Sequence, residues 1–220
     1  MDKMKPICTI MTPFPEKFGV PRQPLLVEEA WGKMCFPKND FYTEAFRGIE
    51  NFSHLWLIFD FHHIPLNSQK ALIRPPRFEN KKKMGVFATR SPHRPNRVGL
   101  SVVKFDKLEI LDQEVILWVK GVDVVSCTPI YDIKPYLPYA DAVLKAKAFD
   151  FNEAPQIQPV IWQTAVPDSM KTLIEKVIGL DPRPGHHKDS LDKFFVSVAG
   201  LNVGFKKTKE AFVVFSVESL

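Results

Sequence analysis

The chain has 220 residues, of which 45% are hydrophobic and 25% are charged, the proportions of an ordinary soluble domain. No apolar run approaches the roughly eighteen residues that a membrane helix needs, and the N-terminus lacks the regions of a secretory signal. We therefore expect a cytoplasmic globular protein with no membrane partner. Its three cysteines form no pair at metal-ligand spacing, so we expect free thiols and no bound metal.

The net charge of +5 is unevenly distributed along the chain. Residues 70–97 contain nine basic residues and one acid, whereas residues 151–220 carry equal numbers of both signs. A positive patch of this size is typical of a site for a polyanion or a phosphate-bearing ligand. A solvated loop is an equal alternative for the lysine run 81–83. It fits the arginines less well, because they lie among prolines and glycines that restrict their direction.

Short apolar or alternating runs dominate the first two thirds of the chain, which is typical of strands. We predict strands near residues 7–11, 25–31, 53–62, 84–90, 98–111, 114–124 and 130–133. One short helix is predicted near residues 42–50. Proline is abundant, with 19 residues, so the connections are expected to be stiff. Many short strands with restrained connections favour a barrel or a strongly curved sheet.

The run FSHLWLIFDFHH, residues 52–63, allows a prediction of which face is buried. In an extended strand Leu55, Leu57, Phe59 and Phe61 share one face, which we assign to the core. The opposite face carries polar and aromatic side chains: His54, Trp56, Asp60 and His62. Such a face suits the wall of a pocket, although a solvent-exposed face of an edge strand is the alternative. The adjacent His62 and His63 are expected to point to opposite faces.

After residue 150 the pattern changes to a mixture of helix and strand. The run IQPVIWQTAV predicts a strand, and apolar residues at helical spacing predict a helix that begins near Asp168 and ends near Gly179. The last segment, KFFVSVAGLNVGFKKTKEAFVVFSVE, predicts a hairpin with its turn at KKTKE. We therefore expect two domains, residues 1–150 and 151–220, the second being a small α/β unit.

No GxGxxG, GxxxxGK[ST], HExxH or GxSxG motif is present, which excludes a Rossmann cofactor loop and a P-loop. The chemistry must come from four clusters in which prolines flank hydrogen-bonding side chains. They are PRQP at 21–24, RPPR at 74–77, VFATRSPHRPNRVGLS at 86–101 and DVVSCTPIYDIKPYLPYAD at 123–141. Polar groups on stiff loops suit a ligand that is held in one pose, but they do not identify it.

Six segments of the sequence occur in the order found in one known family. They are EKFGVPRQP, FRGIENFSHLWLIFDFH, IRPPR, MGVFATRSPHRPNRVGLS, TPIYDIKPYLPYAD and DPRP. Together they closely resemble the TrmO family, also called TsaA-like or YaeB proteins, over nearly the whole chain. Members of that family use S-adenosylmethionine to methylate N6 of N6-threonylcarbamoyladenosine at position 37 of threonine tRNAs. The resemblance implies a mainly β (α+β) fold, with a single-sheeted β-barrel methyltransferase domain and a small C-terminal α/β domain, in a homodimer.

The resemblance also implies a pocket for S-adenosylmethionine. Its predicted residues are Arg22, Gln23, Pro24, His62, His63, Arg90, Leu100, Asp123, Val124, Val125 and Ser126. We expect the Asp123 carboxylate to accept hydrogen bonds from ribose hydroxyls or from the methionine ammonium. Arg90 is expected to pair with the methionine carboxylate, and backbone groups at Leu100 and 124–126 to contact the adenine edge.

The acceptor nitrogen of this reaction is conjugated with the purine and the carbamoyl group, so it is poorly nucleophilic and must lose a proton. We predict Asp132 and Lys134 as catalytic residues. Asp132 or His62 would act as the base, and Lys134 or Tyr136 would polarise the carbamoyl oxygen. The alternative for each of them is a purely orienting role.

The tRNA is expected to be held by contacts to its phosphates, which makes binding strongly dependent on salt. The predicted RNA-binding residues are Arg74, Arg77, Lys81, Lys82, Lys83, Arg94, Arg97 and Arg183. Further candidates are Lys206, Lys207 and Lys209.

Three positions depart from the pattern that is usual in the family. Arg97 stands where a proline is usual, His62 and His63 replace a pair that often contains glutamine, and Ser126–Cys127 replaces an acid followed by glycine. Arg97 is either a gained tRNA contact or a neutral surface change. Two alternative functions stay open, methylation of another substrate and RNA binding without catalysis.

Overall fold

The computed structural model describes residues 4–74, 83–148, 153–184 and 192–220. Its strands are β1 (Cys8–Met11), β2 (Trp31–Pro37), β3 (His54–Asp60), β4 (Leu72–Ile73), β5 (Met84–Gly85), β6 (Val98–Ile110), β7 (Glu114–Lys120), β8 (Thr128–Pro135), β9 (Val160–Trp162), β10 (Lys193–Val198), β11 (Leu201–Lys207) and β12 (Phe212–Ser219). Its α-helices are α1 (Asp40–Ala45), α2 (Pro138–Asp141) and α3 (Asp168–Gly179). Short 3-10 turns lie at Ile49–Asn51 and Val86–Ala88.

Six antiparallel strands close into a barrel in the order β1-β2-β7-β6-β3-β8. Inward side chains alternate with outward ones, so Leu55, Leu57 and Phe59 of β3 are buried as predicted. The β6 strand approaches β3 so closely that a Cβ on Gly99 would lie 2.2 Å from the Phe59 ring. The predicted barrel is confirmed.

Two predicted strands are wrong, each for a local reason. Residues 25–30 do not form the predicted strand, and strand β2 begins only at Trp31. Leu25 lies in a turn with φ +62°, and its N–H donates to Gly121 O of the 121–127 connection. The segment predicted as strand 84–90 leaves β5 at Gly85 and forms a 3-10 turn. The Thr89 hydroxyl caps that turn by donating to Val86 O at 2.9 Å.

The helix predicted at 42–50 is divided into α1 and the 3-10 turn at Ile49–Asn51. The side chain of Asn39 accepts the N–H of Tyr42 and begins α1, while Gly48 with φ +84° precedes the second turn. The sequence pattern therefore located helical backbone correctly but not its interruption.

The C-terminal part contains a four-stranded sheet in the order β10-β11-β12-β9, with β9 parallel to β12. Helix α3 has the predicted bounds, and it buries Leu173, Ile174, Val177 and Ile178. The predicted turn at KKTKE connects β11 and β12, but a further strand, β10, pairs with β11 through a turn at 199–200. Three strands therefore stand where one hairpin was predicted.

The barrel and the C-terminal part share one continuous hydrophobic core. Gly19 lies against Val196 and Val177, and the N–H of Ala199 donates to Pro13 O at 2.7 Å. Lys176 of α3 forms an ion pair with Glu29 at 2.5 Å. Across the described residues, no helix combines the length and the apolar character needed to span a bilayer.

Candidate cofactor site at one end of the barrel

Three connections between barrel strands begin and finish at the same end of the barrel, which we call the loop end. They are residues 12–30, residues 61–97, of which 61–74 and 83–97 are described, and residues 121–127. Because neighbouring strands are antiparallel, β1, β3 and β7 finish here and β2, β6 and β8 begin here. Ten of the eleven predicted cofactor residues lie in these connections, and Leu100 is the third residue of β6 at the same end.

Polar contacts connect the three loops to one another. Arg90 donates from Nη1 to the Gln23 side-chain oxygen, and the Ser101 hydroxyl donates to Asp123 Oδ1 at 2.6 Å. Burial raises the pKa of Asp123 to about 6, while the Ser101 hydrogen bond and the positive charge of Arg90 act in the opposite direction. A half-buried carboxylate and an exposed guanidinium thus lie near each other at the loop end.

The predicted segment 124–126 is fixed by hydrogen bonds to the start of the 12–30 connection and to β8. Val124 O accepts from Thr12 Oγ1 at 3.0 Å, and Val125 O accepts from Thr128 Oγ1 at 2.6 Å. The N–H of Ser126 donates to Phe14 O at 2.7 Å. The segment is therefore preorganised before any ligand binds.

The Ser126–Cys127 departure has a structural explanation. Ser126 Oγ accepts the N–H of Thr12 at 3.2 Å, so the hydroxyl has a role in closing the loop. Cys127 has φ +63°, a left-handed conformation that favours glycine, the residue usual at this position in the family. The backbone at Cys127 thus has a conformation that glycine adopts without strain.

The two histidines lie together rather than on opposite faces, so that prediction is wrong. Strand β3 ends at Asp60, and the turn that follows brings the rings of His62 and His63 to a centroid distance of 4.1 Å. Burial and the neighbouring His63 lower the pKa of His62. His62 Nδ1 lies 3.5 Å from the hydroxyl of Thr128.

Leu100 and the predicted catalytic residues lie on the outer face of the barrel. Leu100 pairs with Ile58 and Ile58 pairs with Asp132, so the three form a row across β6, β3 and β8. Lys134 pairs with Trp56 in the next row, and both charged side chains are exposed. Asp132 Oδ1 accepts the N–H of Ile133 at 2.9 Å. In the described part of the chain, neither Asp132 nor Lys134 has a hydrogen bond or an ion pair with a predicted cofactor residue.

Arg97, a predicted RNA contact, forms an ion pair within the protein. Its Nη2 donates to Asp60 Oδ2 at 3.0 Å, and its Nη1 donates to Ile64 O at 2.6 Å. Asp60 is only 8% exposed, so the guanidinium neutralises a buried carboxylate. Burial and the Asp60 carboxylate also raise the pKa of Tyr131. The sequence suggested Asp60 as a pocket wall but did not identify this partner.

Two other predicted RNA contacts are also engaged within the protein. Arg94 donates from Nη1 to Val86 O at 3.1 Å and to Thr89 O at 2.8 Å, which holds the turn before it. Arg183 is 2% exposed and pairs with Asp181, so its guanidinium has no access to a phosphate.

The remaining predicted RNA contacts fall into two groups. Arg74 and Lys83 are exposed, together with Lys70 of the same basic segment. The other three predicted residues lie outside the described residues: Arg77, Lys81 and Lys82.

The site has few other features that would hold a ligand. A cavity of about 220 Å³ is lined by residues of the loop end and of the C-terminal part, and Ser126 is the one predicted cofactor residue in its lining. Within the described ranges, no three side chains of His, Cys, Asp or Glu converge as metal ligands. The acceptor carboxylate of Asp123 and the cationic Arg90 suit the ammonium, carboxylate and ribose groups of S-adenosylmethionine.

Comparisons with known proteins identify the family of the chain. A family model for the tRNA-methyltransferase O N-terminal domain matches residues 9–142, and one for the TrmO C-terminal domain matches residues 146–220. The chain is 36% identical to the Escherichia coli K12 protein named tRNA (adenine(37)-N6)-methyltransferase, over 96% of each chain. It is 39% identical to a Pseudomonas aeruginosa protein, over 84% of this chain and 83% of the relative. That relative is named "Putative S-adenosylmethionine-dependent methyltransferase RcsF". A crystal structure of TrmO from Pseudomonas aeruginosa superposes with a TM-score of 0.80 at 32% identity, covering 100% of this chain and 99% of that chain. Because the two family models together match nearly the whole chain, the chain belongs to the TrmO family.

Proposed function

We propose that this chain is an S-adenosylmethionine-dependent methyltransferase that acts on N6 of adenosine 37 in tRNA. The observation that carries the proposal is the loop end, where three connections bring Asp123, Arg90 and Gln23 together. The Escherichia coli relative with this named activity aligns over 96% of the chain, which supports the assignment for both parts of the protein.

Asp123 and Arg90 would hold the cofactor through complementary charges. When ionised, the Asp123 carboxylate carries a negative charge and accepts hydrogen bonds at both oxygens, and its pKa of about 6 makes this form predominate at neutral pH. Arg90 presents a planar donor fork that matches a carboxylate, and Gln23 orients that fork. The bound cofactor supplies an activated methyl group, so the main task of these residues is to hold the donor in line with the acceptor nitrogen.

The finer substrate proposal is N6-threonylcarbamoyladenosine in threonine tRNA. We also propose that Asp132 accepts the N6 proton and that Lys134 polarises the carbamoyl oxygen. Both side chains are exposed on the outer face of β8. Asp132 lies on the row that leads through Ile58 to Leu100, and Lys134 lies on the next row, beside Trp56. Asp132→Asn should lower single-turnover methylation while leaving cofactor affinity unchanged, and unchanged methylation would remove Asp132 as the base.

We further propose a cytoplasmic homodimer whose subunits divide into residues 1–150 and 151–220. Leu100 is 54% exposed on the outer face of the barrel, which supports an apolar contact there. Light scattering of the purified chain tests the dimer, and a monomer at micromolar concentration would exclude it.

The exposed cations of the basic segment are proposed to contact tRNA phosphates. Lys70, Arg74 and Lys83 have this exposure, whereas Arg94, Arg97 and Arg183 do not enter the proposal because they bind partners within the protein. Steep salt dependence of tRNA binding is the expected consequence.

The test of the function uses purified protein, S-adenosylmethionine and tRNA from a strain that lacks the gene. Mass spectrometry of the nucleosides should show methylation at position 37, and Asp123→Asn should abolish it. Asp106→Asn is the matched control, because this carboxylate forms an ion pair with Lys120 on the surface of the barrel. Cofactor binding without tRNA methylation would indicate another substrate. Absence of cofactor binding would indicate an RNA-binding protein without catalysis.

A further inference from the structure

A tight turn in the C-terminal part, residues 181–183, is fixed by its own side chains. Asp181 has φ +55°, a conformation that non-glycine residues rarely adopt. Arg183 donates from Nε to Asp181 Oδ1 at 2.8 Å and from Nη2 to Asp181 Oδ2 at 3.0 Å. Its backbone N–H also donates to Asp181 Oδ1 at 3.3 Å. A bidentate, charge-assisted pair of this kind holds the turn in one conformation.

The pair is buried among aromatic rings, so its role is internal. The guanidinium carbon of Arg183 lies 5.4 Å from the centroid of the Phe212 ring and 5.8 Å from that of Phe194. Burying a charged pair is costly and does not by itself stabilise a fold relative to apolar packing. We therefore look for a role of the pair in fixing the position of the backbone around it.

The turn presents two backbone carbonyls to the loop end of the barrel. Arg22 donates from Nη2 to Asp181 O at 3.3 Å and to Arg183 O at 3.4 Å. The next residue along the chain, Gln23, accepts the hydrogen bond from Arg90. A series of contacts thus runs from the C-terminal turn to Arg90, whose positive charge acts on Asp123.

We infer that Arg183 is a positioning residue of the cofactor site, because its pair with Asp181 fixes the two carbonyls that hold Arg22. The C-terminal part thereby sets the position of the loop that contains Arg22 and Gln23, and through Gln23 the position of Arg90. Arg183 itself does not touch the cofactor. The inference rests on the proposed use of S-adenosylmethionine at the loop end.

The test is the affinity for S-adenosylmethionine, measured by calorimetry on the full chain. Arg183→Met keeps an apolar stem between the two rings and removes the pair with Asp181, and Arg22→Met removes the donor to the two carbonyls. Each variant should weaken cofactor affinity by about fivefold to twentyfold. The double variant should bind S-adenosylmethionine with the same affinity as the single variant that binds it more weakly, because both changes interrupt the same series of contacts. Arg183→Lys, which keeps the charge but not the fork, should fall between wild type and Arg183→Met.

Lys176→Met is the matched control. It removes the ion pair with Glu29, which also joins the C-terminal part to the 12–30 connection but lies next to β2. This variant should change stability and leave the affinity within about twofold of wild type, a margin below the couplings expected along a shared contact series. If Arg183→Met does not fold, Asp181→Asn serves as the second variant, with the same expected loss.

The outcomes separate this inference from the proposed function. Wild-type protein that does not bind S-adenosylmethionine refutes the proposed function and the inference together. If the wild type binds the cofactor, two results overturn the inference alone. One is an unchanged affinity in folded Arg183→Met, and the other is that the effects of Arg22→Met and Arg183→Met on binding free energy add in full.

Discussion

Replacing Arg97 with methionine should lower the free energy of unfolding by about 2–4 kcal/mol. Removing one partner from a buried ion pair costs about 3–5 kcal/mol, because the other charge is left buried without compensation. Asp60 is 8% exposed, and among the described residues its second oxygen, Oδ1, has no hydrogen-bond partner. The Arg97 side chain is 22% exposed, so solvent screens part of the interaction and the expected cost is about 1 kcal/mol less than for a fully buried pair. Methionine keeps the β-carbon at φ +50°, so backbone strain is the same in both proteins.

Urea unfolding followed by circular dichroism measures this free energy. Arg47→Met is the control, since Arg47 pairs with Glu44 on the surface and its loss should be undetectable. Adding Asp60→Asn to Arg97→Met should restore part of the stability, because the stranded charge is then absent. A loss for Arg97→Met as small as that of Arg47→Met would refute the assignment of a buried pair.

Further predictions concern the cofactor, the core and the RNA surface. Because burial raises the pKa of Asp123 to about 6, cofactor affinity should fall as the pH drops through 6, and Asp123→Asn should abolish this dependence in calorimetry. The folded-state pKa of this acid lies above its unfolded value, so Asp123 lowers stability as the pH rises from about 4 to about 6. Asp123→Asn should therefore raise the free energy of urea unfolding at pH 8. Gly99→Ala should cost about 1–3 kcal/mol, since its Cβ would meet Phe59, whereas Gly85→Ala, with no atom within 4 Å, should leave the melting temperature unchanged. Replacing the exposed cations with glutamine should reduce the slope of log Kd for tRNA against log salt by about two to three, and an unchanged slope would exclude them as phosphate contacts. These cations are Lys70, Arg74 and Lys83.

The periodicity of apolar residues was sufficient to predict the barrel wall and the C-terminal helix. Leu55 and Leu57 are 0% and 1% exposed, because a period of two places them on the inner face of a closed sheet. Helix α3 was equally clear, since Asp168 begins it and the apolar stripe ends at Gly179. In both cases the local pattern and the tertiary packing favour the same structure.

Strand β2 was missed because its glycine is required by neighbours that are distant in sequence. A Cβ on Gly32 would lie 2.6 Å from Ile10 and 2.9 Å from Val119. Glycine lowers strand propensity locally, yet here it permits close packing inside the barrel. The alternation of Gly32, Met34 and Phe36 on the inner face was present in the sequence, but it becomes clear only beside those neighbours.

The grouping of the cofactor residues followed from resemblance, while the partners of the arginines did not. Arg97 binds Asp60, which is 37 residues away in the sequence, and Arg22 binds Asp181 O, which is 159 residues away. Both contacts depend on the topology of the closed barrel and the C-terminal sheet. Residue type and flanking prolines show that a guanidinium is held in place. They do not show whether its partner is a phosphate, a carboxylate or a backbone carbonyl.

The most direct measurement of the proposed function is mass spectrometry of nucleosides after the purified chain has reacted with S-adenosylmethionine and threonine tRNA carrying N6-threonylcarbamoyladenosine. The expected result is the gain of one methyl group on the nucleoside at position 37, absent with Asp123→Asn and retained with Asp106→Asn. The proposed function would be contradicted if position 37 stayed without the added methyl group under conditions where the wild-type chain binds the cofactor.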